Sequence, residues 1–124
     1  MGALTDLERA VLLSIFSETP HLTAALVRQM AGASVTARRN SGVGFFTTIL
    51  VPSSVPSIEA PRVLGYETHL RLTGFKDGLG FVLFLEDGRL SLLEGYSWSG
   101  ESTAELDLGT RRFEVFRAPV TRVV

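Results

Sequence analysis

The chain of 124 residues contains no cysteine. That one absence excludes disulfide staples, thiolate nucleophiles, iron–sulfur ligation and every cysteine-based zinc site. It agrees with a reducing compartment. A domain of this length buries about two-thirds of its unfolded surface and needs no covalent staple. Charge of one sign is missing too: 12 basic residues oppose 13 acidic ones, for a net charge of −1. There is therefore no global attraction to nucleic acid or to an anionic membrane, and neither is expected as a partner. No apolar stretch reaches the roughly 18–20 residues that span a bilayer. The first residues, MGALTDLERAVLLSIF, lack the basic leader of a signal peptide, because their apolar run follows Asp6, Glu8 and Arg9. The expectation is a soluble, cytoplasmic protein of one domain. Histidine is scarce: His21 and His69 stand alone, without an i, i+4 pair, so neither a metal nor a cofactor is expected.

What is present is apolar and patterned. Mean hydropathy is +0.25, high for a small monomer, which points to a surface covered by a protein partner or a second copy. Thr5-Asp6-Leu7-Glu8 has the form of a capping box, and apolar residues then recur at helical spacing, predicting a helix over 6–17. Thr19-Pro20 predicts a second helix, with Thr19 as N-cap and Gly32 as terminator. Residues 1–32 thus read as a helical hairpin.

After Gly32 the texture becomes β. Strands are expected over 35–39 and 45–51, around an Asn40-Ser41-Gly42 turn, with a proline-rich loop over 52–61. Period-two alternation predicts a half-buried strand over 63–73, with Leu64, Tyr66, Thr68, Leu70 and Leu72 on one side. His69 then falls in a solvated polar row with Glu67 and Arg71. Asp87-Gly88 between apolar runs predicts a two-residue type I′ hairpin. Its register pairs Glu86 with Arg89, Leu85 with Leu90, Leu83 with Leu92, Phe81 with Glu94 and Gly80 with Gly95. Closing strands are expected over 112–117 and 120–124. The fold class is α+β: an N-terminal helical hairpin packed on a twisted antiparallel sheet of five to seven strands.

No motif specifies a reaction. Gly42 and Gly44 beside Arg38-Arg39 suggest a phosphate cradle, but such a loop runs into a helix N-terminus, and here FFTTILV comes next. The glycines read as turn and close-approach residues, a device that Gly78 and Gly80 repeat. The hairpin register sets Glu94 on the core face, where a desolvated carboxylate is an acid/base candidate. Arg38 and Arg39 are its candidate ion-pair partners, Arg39 as an anion clamp, with Asn40, Ser41 and Tyr96 at the rim. The facing Gly80 and Gly95 leave a notch opposite Glu94, over which Tyr96 or Trp98 can lie; Trp98 in its polar loop is also a candidate interface anchor.

The segments Arg38–Thr47 and Gly80–Tyr96, about a fifth of the chain, carry the pattern GVGFFT … GFVLFxxDGxLSxLEGY. It resembles a family of small bacterial proteins to which no activity is attached, and it implies a compact α+β fold. The chain departs from that family after Tyr96, where Ser97-Trp98-Ser99-Gly100 replaces a Tyr-Asp and Trp-Pro-rich continuation. Two functional expectations result. One is an interaction or oligomerisation module without catalysis. The other is a small ligand binder or enzyme built on Glu94 and Arg39. A basic stripe from Arg38-Arg39 and Arg111-Arg112 is the weaker, nucleic-acid alternative.

Overall fold

The computed structural model describes residues 2–107 and 111–118. Helix α1 (Asp6–Ser17) starts where its capping box dictates. The Thr5 hydroxyl accepts the Glu8 N–H at 3.1 Å, and Glu8 Oε1 accepts the Thr5 N–H at 2.8 Å. The second helix differs from expectation. Thr19 supplies no side-chain cap; Pro20–Leu22 forms one 3₁₀ turn, and α2 runs from Thr23 to Ala31. The Thr23 hydroxyl instead donates back to the Phe16 carbonyl at 2.8 Å, tying the two helices together. Among the described residues, no single helix is long and apolar enough to cross a membrane.

Among the described residues, seven antiparallel strands come after the helices: β1 (Ser34–Asn40), β2 (Gly44–Leu50), β3 (Val63–Leu64), β4 (Thr68–Leu72), β5 (Leu79–Glu86), β6 (Arg89–Ser97) and β7 (Phe113–Arg117). Their order is β1-β2-β6-β5-β4-β7, with β3 paired to β5. This is the expected α+β architecture. The expected strand over 120–124 lies outside the described residues. Helix α1 packs on β4, β5 and β7, and α2 on β6, so both helices cover one face. The buried side chains Val11, Ile15, Phe16, Leu26, Leu70 and Leu83 form the heart of the core between them.

Three local expectations are corrected. The strand over 63–73 breaks in two at Gly65, whose φ is +93°. There Glu18, at the C-cap of α1, accepts the N–H groups of Tyr66 and Glu67 at 2.9 and 3.0 Å and the Thr68 hydroxyl at 2.5 Å. These bonds draw the chain out of the ladder, and Tyr66 is exposed, not buried. His69 is not a solvated row member; its ring packs 4.8 Å from Trp98 and 5.6 Å from Phe116.

The third correction concerns the hairpin. Asp87 and Gly88 have φ of +51° and +72°, as a type I′ turn requires, and Glu86–Arg89 and Leu85–Leu90 pair as expected. Beyond them Phe84 pairs with Leu92, leaving Ser91 as a bulge residue without a partner. Downstream pairs then become Leu83–Leu93, Val82–Glu94, Phe81–Gly95 and Gly80–Tyr96. One extra residue flips every later side chain to the other face. A second bulge leaves Thr36 unpaired between Val35 and Ala37 in β1.

The buried Gln29 of α2 locks the hairpin from below. Its amide donates to the carbonyls of Gly88 (2.9 Å) and Pro56 (3.1 Å) and accepts the Leu90 N–H (3.0 Å).

The glycines behave as backbone devices. Gly42 sits at φ +90° with open space around it, whereas a Cβ on Gly44 would lie 2.2 Å from the Gly95 carbonyl oxygen. Strand β2, not a helix, comes after them. Gly42→Ala is therefore expected to cost about 1 kcal/mol of backbone strain, and Gly44→Ala more than about 3 kcal/mol, because its neighbour is backbone that cannot yield. Urea unfolding of both variants checks this; equal losses would contradict the close approach at Gly44.

Candidate functional site

The bulge at Thr36 decides where the basic pair points. Past it, Arg38 pairs with Thr47 and Arg39 with Phe46 in the ladder, so their side chains leave opposite faces of β1. Arg38 goes to the helix side. Its Nε donates to Glu8 Oε2 at 3.0 Å and its Nη2 to Glu8 Oε1 at 2.7 Å. The Thr47 hydroxyl donates to the same Oε2 at 2.7 Å. Glu8 is buried, whereas the Arg38 side chain is 45% exposed. Burial pushes the Glu8 carboxyl upward, but the bonds from Arg38, Thr47 and the Thr5 N–H outweigh it and hold the group below its ordinary value. The bond to Glu8 raises Arg38 in turn.

Asn40 is equally committed. Its amide donates to the Thr103 carbonyl at 2.7 Å, while its oxygen accepts the Gly42 N–H and the Thr103 hydroxyl, both at 2.9 Å. These bonds fasten the 98–107 loop to the β1–β2 turn. Ser41 closes that turn with its N–H on the Gly44 carbonyl at 2.9 Å. A cavity of about 400 Å³ beside this end of α1 is lined by Glu8, Arg38, Asn40, Phe45, Leu106 and Asp107, among others. Arg38 and Asn40, expected as ligand contacts, therefore hold the architecture, with Arg38 in partnership with Glu8 and not Glu94.

The remaining candidates gather on the other face, which no helix covers among the described residues. Register sets Arg39, Phe46, Glu94 and Val82 in one row across β1, β2, β6 and β5. Glu94 is thus corrected from the core face to the open face by the Ser91 bulge. It is half-buried, and neither it nor Arg39 has an ion pair or hydrogen bond among the described residues. The Arg39 guanidinium lies 4.7 Å from the centroid of Phe46, in cation–π contact. The next row holds Tyr96, Gly80, His69 and Phe116. Gly80 and Gly95 do not face each other. A Cβ on Gly80 would meet the Tyr96 ring at 2.3 Å, and one on Gly95 would meet Phe81 at 2.7 Å, so each glycine lies under an aromatic ring. Tyr96 consequently lies on the Glu94 face, not opposite it. Trp98 is 45% exposed and stands edge-on to His69 and Phe116.

Chemically this face mixes partly covered apolar side chains with charge: Arg71 and Glu114 pair across β4 and β7 at 3.3 Å, while Arg39 and Glu94, unpaired among the described residues, flank Phe46. Arg39 lines the cavity beside α1 and a neighbouring hollow of about 390 Å³; Glu94 lines neither. Arg38-Arg39 and Arg111-Arg112 lie toward opposite edges of the sheet, and Arg111 donates to the Thr73 carbonyl at 3.0 Å, so they form no continuous basic stripe.

Two residues that the sequence patterns do not single out as site candidates, Glu8 and Phe46, organise the two faces. The signal for Glu8 is the helical stripe, because it lies four residues after Leu4 and four before Leu12. Its lowered carboxyl stabilises the fold above the ordinary carboxylate range, and that contribution is lost as pH falls through the lowered value. Glu8→Gln is expected to cost about 2 kcal/mol near pH 7, less than a fully buried pair because Arg38 is half-exposed. The gap from wild type should shrink below about pH 4.5 in urea unfolding; a gap that widens on acidification would contradict this sign. No family model, curated protein or solved structure matches the chain.

Proposed function

We propose that this protein is a small interaction module without catalytic activity, which docks protein surfaces on the open face of its sheet. The observation that carries the reading is the composition of that face. Phe46, Val82, Phe84 and Leu92 are half-buried there, beside the exposed rings of Tyr96 and Trp98 and with no helix over them among the described residues. Clustered aromatic and aliphatic side chains left partly uncovered on a small domain favour an interaction surface, and Tyr, Trp and Arg are the usual anchors of one. The polar groups on the helix side are consumed in structural bonds by Arg38, Asn40 and Gln29. They add rigidity beneath the face and offer little for chemistry.

The test is site-specific photo-crosslinking in cells of the source organism. With p-benzoylphenylalanine at position 84 or 92, adducts are expected that added purified wild-type protein suppresses in the lysate. The same probe at Arg28, exposed on the helix layer, should give none. No adduct from the sheet positions, or an equal yield from position 28, would overturn the docking role.

A further inference from the structure

The row pattern of the open face has a property that identifies a partner. Around β2 the face is complementary to itself. In one row Arg39 of β1 and Glu94 of β6 stand on either side of Phe46. In the next, Ala37 and Leu92 stand on either side of Thr48. A two-fold axis lying between two copies and running along β2 preserves each row and exchanges β1 with the other copy's β6. Arg39 then meets Glu94 of the second copy, Ala37 meets Leu92, and Phe46 and Thr48 meet their own equivalents. Every member of the pattern acquires a fitting neighbour: cation with anion, small side chain with large, ring with ring.

Two observations support this arrangement independently. Arg39 and Glu94 are unpaired within the described chain, although they flank the same residue. The hollow of about 390 Å³ lined by Ala37, Arg38, Arg39, Phe46, Thr48 and Leu92 lies where a leucine from a second copy would enter. Aligned sheets cross at about 30°, and one strand from the axis that displaces a row by only about 2.4 Å, well within the reach of an arginine. We propose that the occupant of the open face is a second copy of this chain, held by two reciprocal Arg39–Glu94 ion pairs around a Phe46–Phe46 contact. The proposal rests on the docking role of that face. The overlap of β1, β2 and β6 covers on the order of 350 Å² per copy, below the roughly 800 Å² of a long-lived interface, so the dimer is weak and concentration-dependent.

Charge exchange tests it. Sedimentation equilibrium from about 10 to about 500 µM should show a monomer–dimer equilibrium for the wild-type protein. Arg39→Glu and Glu94→Arg should each weaken it by at least about tenfold. Mixing those two variants should restore association as a heterodimer, because each supplies both charges that the other lacks, and the doubly exchanged chain should again dimerise alone. Circular dichroism and thermal melts confirm that the variants fold; if Glu94→Arg does not, Ala37→Glu, on the exposed edge strand, should abolish the dimer by occupying the hollow. A monomeric wild type, single exchanges without effect, or variants that fail to complement each other would overturn the proposal. Photo-crosslinking from position 92 separates the two readings. An adduct of twice the chain mass supports the dimer, a suppressible heavier or lighter adduct keeps the docking role and overturns self-pairing, and no adduct overturns both.

Discussion

The buried carboxylate of Glu8 is the interaction on which the rest of the arrangement depends. It binds the first turn of α1 to itself through the capping box, and it binds that turn to two strands through Arg38 and Thr47. Glu18, one residue past the end of the same helix, takes two backbone N–H groups and a hydroxyl at the start of β4. A single helix is thereby fixed at both ends, near β1–β2 at one side of the sheet and near β4 at the other. Hydrophobic burial alone would let a 12-residue helix slide or rotate on a leucine-rich surface, since apolar contact is non-directional. Carboxylates with several directed donors do not slide, because each displacement leaves a buried polar group unsatisfied.

Gln29 extends the same logic to α2. A neutral amide with one acceptor and two donors meets the hairpin turn and the proline-rich loop at once. Asn40 and Thr103 do so for the long loop after β6. The helix side of the sheet is thus an apolar core with a few polar fasteners, each bonded to two or more partners. The open side is the reverse: its apolar side chains are only partly covered, and Arg39 and Glu94 have no charged partner among the described residues. That asymmetry underlies the functional reading.

Much of the architecture is legible in the sequence because local physics decides it. The Thr5–Glu8 capping box, the Asp87-Gly88 turn and the proline-rich loop each arise from a few neighbouring residues whose backbone preferences leave little choice. The site is less legible, for two reasons. Leu90-Ser91-Leu92-Leu93 satisfies a strand pattern in either phase, so nothing in it marks the extra residue that moves Glu94 to the open face. Glu8 is fully explained as a capping residue, and that local role conceals its long-range bond to Arg38, 30 positions away. The glycine pairs are legible in kind, as backbone devices, but the partner of each comes from the register and cannot be read from the glycines.

The two bulges make the sheet's chemistry a matter of parity. Thr36 inserts one residue into β1 and Ser91 one into β6, and neither contributes a side chain to the core. Each reverses the odd–even order of the residues after it. The first sends Arg38 inward and Arg39 outward; the second sends Leu93 inward and Glu94 outward. A ladder that paired either residue in regular alternation would have the same composition and the same hydrophobic content, yet it would direct Arg39 or Glu94 into the core. Which charges this protein presents to the outside is therefore counted along the backbone, in two single-residue steps.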